Sequence, residues 1–257
     1  MNRKLFLLGL AGALVVALAA CKEKTKEENI KVTIPKETAV VNEKAEAKEE
    51  PAEPEVEGFS VKDEKEEPVI TAEEEPEEQP AKKEELTFPN AKVLKEVRKA
   101  ADIPEGPIYA EDVADVTELY LDGMNLTDIS FLKDFTSLTD LDISANDIAD
   151  ISALSGLKEL KALFADDNKI KDLTPLSGHS KLEILCIDGN KVKDLSPLIG
   201  LKKLNGLYAA DNKITDLTPC LDIPSLEELD VSGNKISKED VKKIEEKNIA
   251  IIYKKSE

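Results

Sequence analysis

The sequence predicts an α/β solenoid with a parallel concave sheet, because one 22-residue pattern recurs six times in phase between Val116 and Lys247. Every unit carries apolar residues at positions 1, 4 and 6, and five of the six carry asparagine at position 9: Asn146, Asn168, Asn190, Asn212 and Asn234. Apolar residues two apart, such as Leu141 and Ile143, predict a short strand with one buried face. Asparagine predicts a sharp inward turn, because its side chain can satisfy backbone groups that the turn removes from water. Stacked units therefore build a parallel sheet and a ladder of asparagine side chains.

The second half of each unit predicts a short 3₁₀ or helical turn on the outer, convex wall. Five units carry aspartate at position 13 and serine or threonine at position 15, and three carry proline at position 16. The hydroxyl residues are expected to be N-caps and the prolines to be first helical residues. The spacing Leu-x-x-Leu-x-Leu-x-x-Asn is that of a leucine-rich repeat, and 22 residues leave no room for a long convex helix.

The unit from Leu182 to Lys203, including the run Asp194–Leu198, resembles the repeats of the internalin family and related bacterial surface proteins. This resemblance implies a curved solenoid that is displayed on a bacterial surface and binds a partner, without catalytic residues. The segment from Phe88 to Val116 likewise resembles the helical caps of such proteins. The first unit departs from the pattern, since Met124 occupies the asparagine position and Asn125 falls one residue late.

Both open ends of the repeat array are expected to be covered. Residues 86–115 predict a helical N-terminal cap, with one helix ending before Pro104 and a second from Ala110 to Asp115. Residues 116–247 are the six repeats. Residues 248–257 predict a capping strand and tail, because Ile251 and Tyr253 fall at positions 4 and 6 of a seventh unit. Lysines in the tail are expected to keep the sheet edge soluble.

Residues 1–20 predict a lipoprotein signal peptide. Arg3 and Lys4 precede an apolar run that, as a helix, would rise about 24 Å, less than the roughly 30 Å of a hydrocarbon core. The run ends in Leu-Ala-Ala-Cys, which is similar to a bacterial lipobox, so Cys21 is predicted to be lipidated and to become the mature N terminus. The alternative is an ordinary signal peptide with a cysteine at its cleavage site. Lys22 favours outer-membrane sorting in a Gram-negative organism.

Residues 21–85 predict a disordered acidic tether behind the lipidated cysteine. Glutamate, lysine, proline and alanine dominate this segment, so it cannot bury enough apolar surface to offset the entropy of ordering. As a flexible coil it would span roughly 45 Å. A partner-binding role for its charges is the alternative.

Charge and histidine content exclude several functions. A net charge of −19 and a pI near 4.6 argue against a nucleic-acid partner, which would need a basic surface. His179 is the only histidine, and it stands at position 20, where other units carry apolar residues. A buried packing role is therefore expected for His179, and neither an enzyme nor a cofactor is predicted.

No disulfide and no metal site are predicted. Cys186 and Cys220 fall on opposite walls of the solenoid, too far apart for the roughly 4.4–6.8 Å Cα separation of a disulfide. The aspartates at position 13 are expected to bond the nearby backbone. Four aspartates near neighbouring strand ends could gather Ca²⁺, but their spacing matches no EF-hand loop: Asp166, Asp167, Asp188 and Asp211.

Positions 3, 5 and 7 should face outward from the concave sheet, because positions 4 and 6 face the core. Three of the six residues at position 5 are aromatic, although aromatics make up only 4% of the chain, so a binding surface is predicted there. The predicted partner-binding residues are Tyr120, Asp122, Asp142, Phe164, Asp166, Asp188, Tyr208 and Asp230. The alternative is that the aromatics only stabilise the sheet by stacking on their neighbours.

The expected function is a membrane-anchored extracytoplasmic protein that binds a protein partner, as an adhesin or receptor-like module. The acidic face favours a basic partner epitope. We expect a monomer, lipid-anchored in the bacterial envelope at the outer membrane or cell surface. The alternative is a structural lipoprotein that organises the envelope without an external ligand.

Overall fold

The computed structural model describes residues 30–33 and 84–254, and eight strands in these ranges form one sheet. The strands are β1 Ile30–Thr33, β2 Glu118–Tyr120, β3 Asp140–Asp142, β4 Ala162–Phe164, β5 Ile184–Cys186, β6 Gly206–Tyr208, β7 Glu228–Asp230 and β8 Ala250–Lys254. Their spatial order is β1-β8-β7-β6-β5-β4-β3-β2. Strands β2 to β8 are parallel and shift by 22 residues at each step, so Leu119 pairs with Leu141. The predicted parallel leucine-rich-repeat solenoid is confirmed.

The core lies between the sheet and the convex wall. Leu141 and Ile143, at positions 4 and 6 of the second unit, are fully buried. The convex wall contributes buried residues at positions 11, 14, 17 and 20, such as Ile148 and Leu154. Each such side chain contributes about 1.5–3 kcal/mol by leaving water, so a repeat with only a three-residue strand is still stable when stacked.

The convex turns are 3₁₀ helices, as predicted, but their caps differ from expectation. They run over Ser130–Asp134, Ser152–Gly156, Thr174–Leu176, Ser196–Leu198 and Thr218–Asp222. The backbone N–H of Ser196 donates to Asp194 Oδ1 at 2.8 Å, and the same bond recurs in the other four units. The Ser196 hydroxyl donates to the same carboxylate instead of capping the turn. The predicted N-cap role of position 15 is therefore wrong, because aspartate two residues earlier already satisfies that N–H in an Asx turn.

The predicted asparagine ladder is confirmed. Asn168 Oδ1 accepts the N–H of Ile148 at 2.9 Å, and its Nδ2 donates to the carbonyl of Ile143 at 2.9 Å, both in the preceding unit. The same amide donates to the carbonyls of Ala165 and Asp166 in its own unit. Asn146, Asn190, Asn212 and Asn234 repeat this arrangement. Each asparagine thus fastens its own turn to the previous repeat.

Position 8 of every unit adopts a left-handed conformation, which the sequence analysis did not predict. The positive φ values run from 51° to 71° at position 8: Gly123, Ala145, Asp167, Gly189, Asp211 and Gly233. Glycine and aspartate tolerate this region, whereas Ala145 pays a steric cost between its Cβ and the backbone. The turn geometry therefore selects glycine and aspartate at position 8.

A helical segment lies near each end of the array. The predicted N-terminal helix α1 spans Ala91–Ala101, buries Val93 and Val97, and is capped by Asn90, whose side chain accepts the N–H groups of Lys92 and Val93. A short helix, α2, spans Ala110–Val113. At the other end α3 spans Lys238–Glu246 and replaces the sixth 3₁₀ turn.

Strand β1 corrects the prediction that residues 21–85 are disordered throughout. Ile30–Thr33 pairs antiparallel with β8, the predicted seventh strand of the solenoid, which itself pairs with β7. A short alternating segment with β-branched residues can pair with an open sheet edge even when its surroundings are polar. The predicted signal peptide, Cys21 and the remainder of the tether lie outside the described residues. Among the described helices, none combines the length and apolar character needed to cross a membrane.

Candidate partner-binding face

The concave face is the outward side of the sheet formed by positions 3, 5 and 7 of the repeats. The register aligns position 5 of all six units in one row, which we call the central row: Tyr120, Asp142, Phe164, Cys186, Tyr208 and Asp230. With neighbouring strands about 4.8 Å apart, this row is about 24 Å long. The structure therefore brings the predicted residues at position 5 onto one surface.

The aromatic residues of the central row stand on every second strand. Their backbones are therefore about 10 Å apart, beyond the roughly 4.5–7 Å that separates the centroids of paired rings. Within residues 84–254, the ring pairs are Phe88–Phe131 and Phe131–Phe135, neither of which lies in the central row. The aromatics of this row therefore do not stack on one another, although Phe164 and Tyr208 pack against neighbouring apolar side chains of the same face.

Exposure differs along the central row, contrary to the prediction of a uniformly exposed row. Tyr120 is 42% exposed and Phe164 is half-buried, whereas Tyr208 is 3% exposed and Cys186 is buried. Around the buried members, side chains from positions 3 and 5 form an apolar cluster that is separate from the solenoid core: Ala162, Phe164, Ile184, Cys186 and Tyr208. The open part of the row is therefore its β2 end.

Each tyrosine of the row is held by a glutamate at position 3, a position that the sequence analysis left out of the site. The Tyr120 hydroxyl donates to Glu118 at 2.9 Å, and the Tyr208 hydroxyl donates to Glu228 at 2.7 Å. Burial and then the adjacent glutamate raise the pKa of both tyrosines well above the usual value. The phenols stay neutral and fixed in orientation. Because positions 3 and 5 lie on the same face of the strand, the sequence could have indicated Glu118 as a neighbour of the central row.

The concave aspartates bond the backbone as well as supplying charge. Asp166 Oδ1 accepts the N–H of Asp188 at 3.0 Å, and Asp188 Oδ1 accepts the N–H of Ala210 at 2.7 Å, so each joins its repeat to the next. Asp142 and Asp230 accept the N–H two residues later, each at 2.9 Å. Asp122, at the β2 end, is exposed. Four of these aspartates therefore stabilise the fold through bonds to the backbone, in addition to any role in binding.

Asp188 carries less charge than the sequence implies. Burial, followed by repulsion from Asp166, raises the pKa of its carboxyl from 3.8 to about 8. At neutral pH this group is mostly protonated in the folded chain. Within residues 84–254, no three histidine, cysteine or acidic side chains converge in a way that could hold a metal ion.

His179 occupies the packing position that its place in the repeat predicts. It is fully buried, and its Nδ1 and Nε2 lie 3.0 and 3.1 Å from the carbonyl oxygens of Leu176 and Leu154. Burial, and then the charge of Lys158, lowers its pKa. The ring thus links the convex walls of two repeats.

The cysteines correct one expectation. Cys220 is free and buried in the convex wall, so it does not pair with Cys186, as predicted. Burial raises the pKa of the Cys220 thiol to about 12. Cys186 is nevertheless disulfide-bonded, so the expectation that the chain has no disulfide is wrong. Because Cys186 and Cys220 lie on opposite walls of the solenoid, they cannot pair with each other. This argument does not apply to a partner outside the repeats, and the partner of Cys186 lies outside the described residues.

Comparison with known proteins supports the repeat assignment. The family model described as Leucine Rich repeats (2 copies) matches residues 136–178 and 202–243. A search of curated proteins finds no match.

Solved structures include bacterial proteins with the same fold. An internalin from Listeria monocytogenes is 28% identical, with 59% of this chain and 52% of that chain covered and a TM-score of 0.52. A leucine-rich repeat protein of Leptospira interrogans is 24% identical, with coverages of 57% and 39% and a TM-score of 0.51. This chain therefore spans about half of the internalin structure. The chain therefore has the leucine-rich-repeat fold and is structurally similar to a bacterial internalin.

Proposed function

We propose that this protein is a lipid-anchored, extracytoplasmic binding protein that captures a protein partner on its concave face, as an adhesin or receptor-like module of the bacterial envelope. The observation that carries the proposal is the central row, in which aromatic side chains recur on one sheet face without stacking on each other. Aromatic residues are enriched at protein interfaces, where they supply apolar area together with a polar atom. Similarity to an internalin supports a surface role.

The β2 end of the central row is the most accessible part of the proposed site. Tyr120 offers an exposed ring whose hydroxyl is oriented by Glu118, Phe164 offers a half-buried ring, and Asp122 adds an exposed carboxylate. Tyr208, Asp166, Asp188 and Asp230 form the more buried part of the proposed site. The acidic surroundings favour a basic partner epitope, because complementary charge steers association.

The size of the face limits the affinity of one molecule. Seven parallel strands at about 4.8 Å spacing give a length of about 30 Å, and a width of about 15–20 Å then offers about 500 Å². A standard interface takes about 800 Å² from each partner, so we expect modest affinity. Display of many copies on a membrane would raise the avidity.

The binding proposal is tested by capturing partners on the intact mature chain and measuring their affinity for single variants. Truncating an aromatic anchor typically costs about 2 kcal/mol, so Tyr120→Ala should weaken binding about 30-fold. Ile199→Ala is the matched control, because Ile199 is similarly exposed, at 47%, but lies on the convex wall. Equal affinities for the two variants would contradict a concave site.

Lipidation of Cys21 is tested separately. Cells fed a fatty-acid analogue should label the wild type and not Cys21→Ala, and two or three acyl chains would give stable anchoring. Acylation occupies the sulfur of Cys21, so the lipidated chain could not keep the intrachain disulfide that the structure has at Cys186. Thiol titration of the unfolded, unreduced protein separates the two forms: two thiols would support acylation, whereas a single thiol would mean that the disulfide is kept and would contradict lipidation of Cys21. Equal labelling of both proteins would remove the anchor from the proposal.

A structural envelope lipoprotein is the competing role. Protease treatment of intact cells should release the folded domain if it is displayed on the surface. Failure to capture any partner, together with complete protection from protease, would favour the structural role.

A further inference from the structure

The edge of β8 that faces away from the repeats carries a row of backbone groups that the solenoid itself cannot satisfy. Ala250 donates its N–H to Glu227 at 2.7 Å, and the carbonyl of Ile252 accepts the N–H of Val231 at 2.9 Å, so both residues bond toward β7. Because successive residues of a strand direct these groups to opposite sides, those of Ile251 and Tyr253 point to the other edge. Strand β1 lies at this edge, with Lys31 opposite Tyr253 and Thr33 opposite Ile251.

The two ends of the parallel sheet are closed by different means. At the β2 end, the helical cap packs beside the first repeat, and the side chain of Asn90 in that cap donates to the carbonyl of Met124 at 3.2 Å. At the β8 end the closing element is a strand from far upstream in the sequence. An open parallel edge is a template for pairing with other chains, so its occupation by β1 removes an aggregation site.

We propose that β8 is a strand-accepting edge whose occupant is the Ile30–Thr33 segment of the same chain, and that this pairing holds the lipid anchor beside the C-terminal end of the solenoid. The anchor part of this inference rests on the proposed lipidation of Cys21, whereas the strand pairing does not. The segment Ile30–Thr33 contains three β-branched residues and one lysine. This composition suits an edge strand, which commonly carries a charged residue.

The number of residues between Cys21 and β1 limits the distance between the anchor and the solenoid. Eight residues, 22–29, separate Cys21 from β1 and can extend over at most about 29 Å. If β1 were undocked, the chain between Cys21 and the N-terminal cap would behave as a coil with an average span of roughly 45 Å. Docking of β1 therefore shortens the tether.

Residue-resolved amide exchange on the full mature chain tests the pairing. Lys31→Pro removes a backbone N–H from the β1 ladder, and Ala45→Pro is the control elsewhere in the tether. In Lys31→Pro the amides of Ile251 and Tyr253 should exchange at least tenfold faster, while those of Ala250 and Ile252 stay protected by β7. Ala45→Pro should leave all four amides unchanged.

Three outcomes would overturn the inference. Equal protection in the two variants would show that β1 does not occupy the edge. Loss of protection through the entire sheet would make β1 part of the folding core and not a docked strand. Protection that rises with protein concentration would show that the strand comes from a second copy.

A membrane measurement tests the consequence for the anchor. The lipidated chain carries a donor dye on Lys247→Cys, at the C-terminal end of α3, in vesicles that contain acceptor-labelled lipids. Energy transfer should fall when Lys31→Pro is added and stay constant when Ala45→Pro is added. Equal transfer would refute the short tether. If the wild type does not bind vesicles at all, lipidation has failed while the amide-exchange result still decides the strand pairing.

Discussion

Removing one side chain from the asparagine ladder should cost more than most single substitutions. In Asn168→Ala the buried N–H of Ile148 loses its acceptor, and the carbonyls of Ile143, Ala165 and Asp166 lose a donor. An unsatisfied buried group costs about 1–3 kcal/mol, so we expect a loss of about 3 kcal/mol in the free energy of unfolding. With a urea m-value of about 2 kcal/mol/M, the midpoint should fall by about 1.5 M.

Asn234→Ala is the matched control for this prediction. Asn234 makes the same set of bonds, to Ile214, Ala209, Val231 and Ser232, but it is half-buried in the last repeat. Water can replace part of those bonds, so we expect a loss of about 1 kcal/mol. The measurement is urea unfolding of both variants with an unchanged m-value. Equal losses, or a loss below about 1 kcal/mol for Asn168→Ala, would refute the account of the ladder.

Two further predictions concern Asp188 and Ala145. The folded-state pKa of Asp188 is raised to about 8 from 3.8, so the folded chain binds more protons between these values and its stability should fall as pH rises from about 4 to about 8. Asp188→Asn keeps an acceptor for the N–H of Ala210 and should flatten this slope in urea unfolding; an unchanged slope would contradict the assignment. Ala145→Gly should raise stability by about 0.5–1 kcal/mol by relieving the positive φ, whereas Ala149→Gly, where φ is not positive, should give no gain. A thermal melt that gave both glycine variants the same stability would argue against strain at Ala145.

The repeat register could be predicted because it is local and repeated. Residues at positions 4, 6 and 9 recur in units of constant length, so the pairing of Leu119 with Leu141 follows from counting. Strand β1 could not be predicted in this way, because its pairing joins Ile30 to Lys254 across almost the whole chain. The polar composition around Ile30 indicates only that the segment cannot form its own core. It does not indicate that a distant strand, β8, has an open edge with which the segment can pair.

The sequence predicted which face of the sheet carries the candidate site, but not the contacts that its side chains make. Alternation in the strand places Tyr120 and Phe164 on the outward side, as the register shows. The burial of Tyr208 and its bond to Glu228 depend on packing between strands, which residue spacing does not define. Similarly, aspartate and serine are both good turn acceptors, so only the backbone geometry selects Asp194 over Ser196.

The most direct test of the central claim compares partner capture by the intact chain with capture by a variant whose central row lacks its aromatic residues. The variant combines Tyr120→Ala, Phe164→Ala and Tyr208→Ala, and Ile199→Ala is the control; circular dichroism verifies that all remain folded. Quantitative mass spectrometry of the bound proteins should show the same partner on the wild type and the control, and its loss from the triple variant. Retention of that partner by a folded triple variant would contradict binding at the concave face.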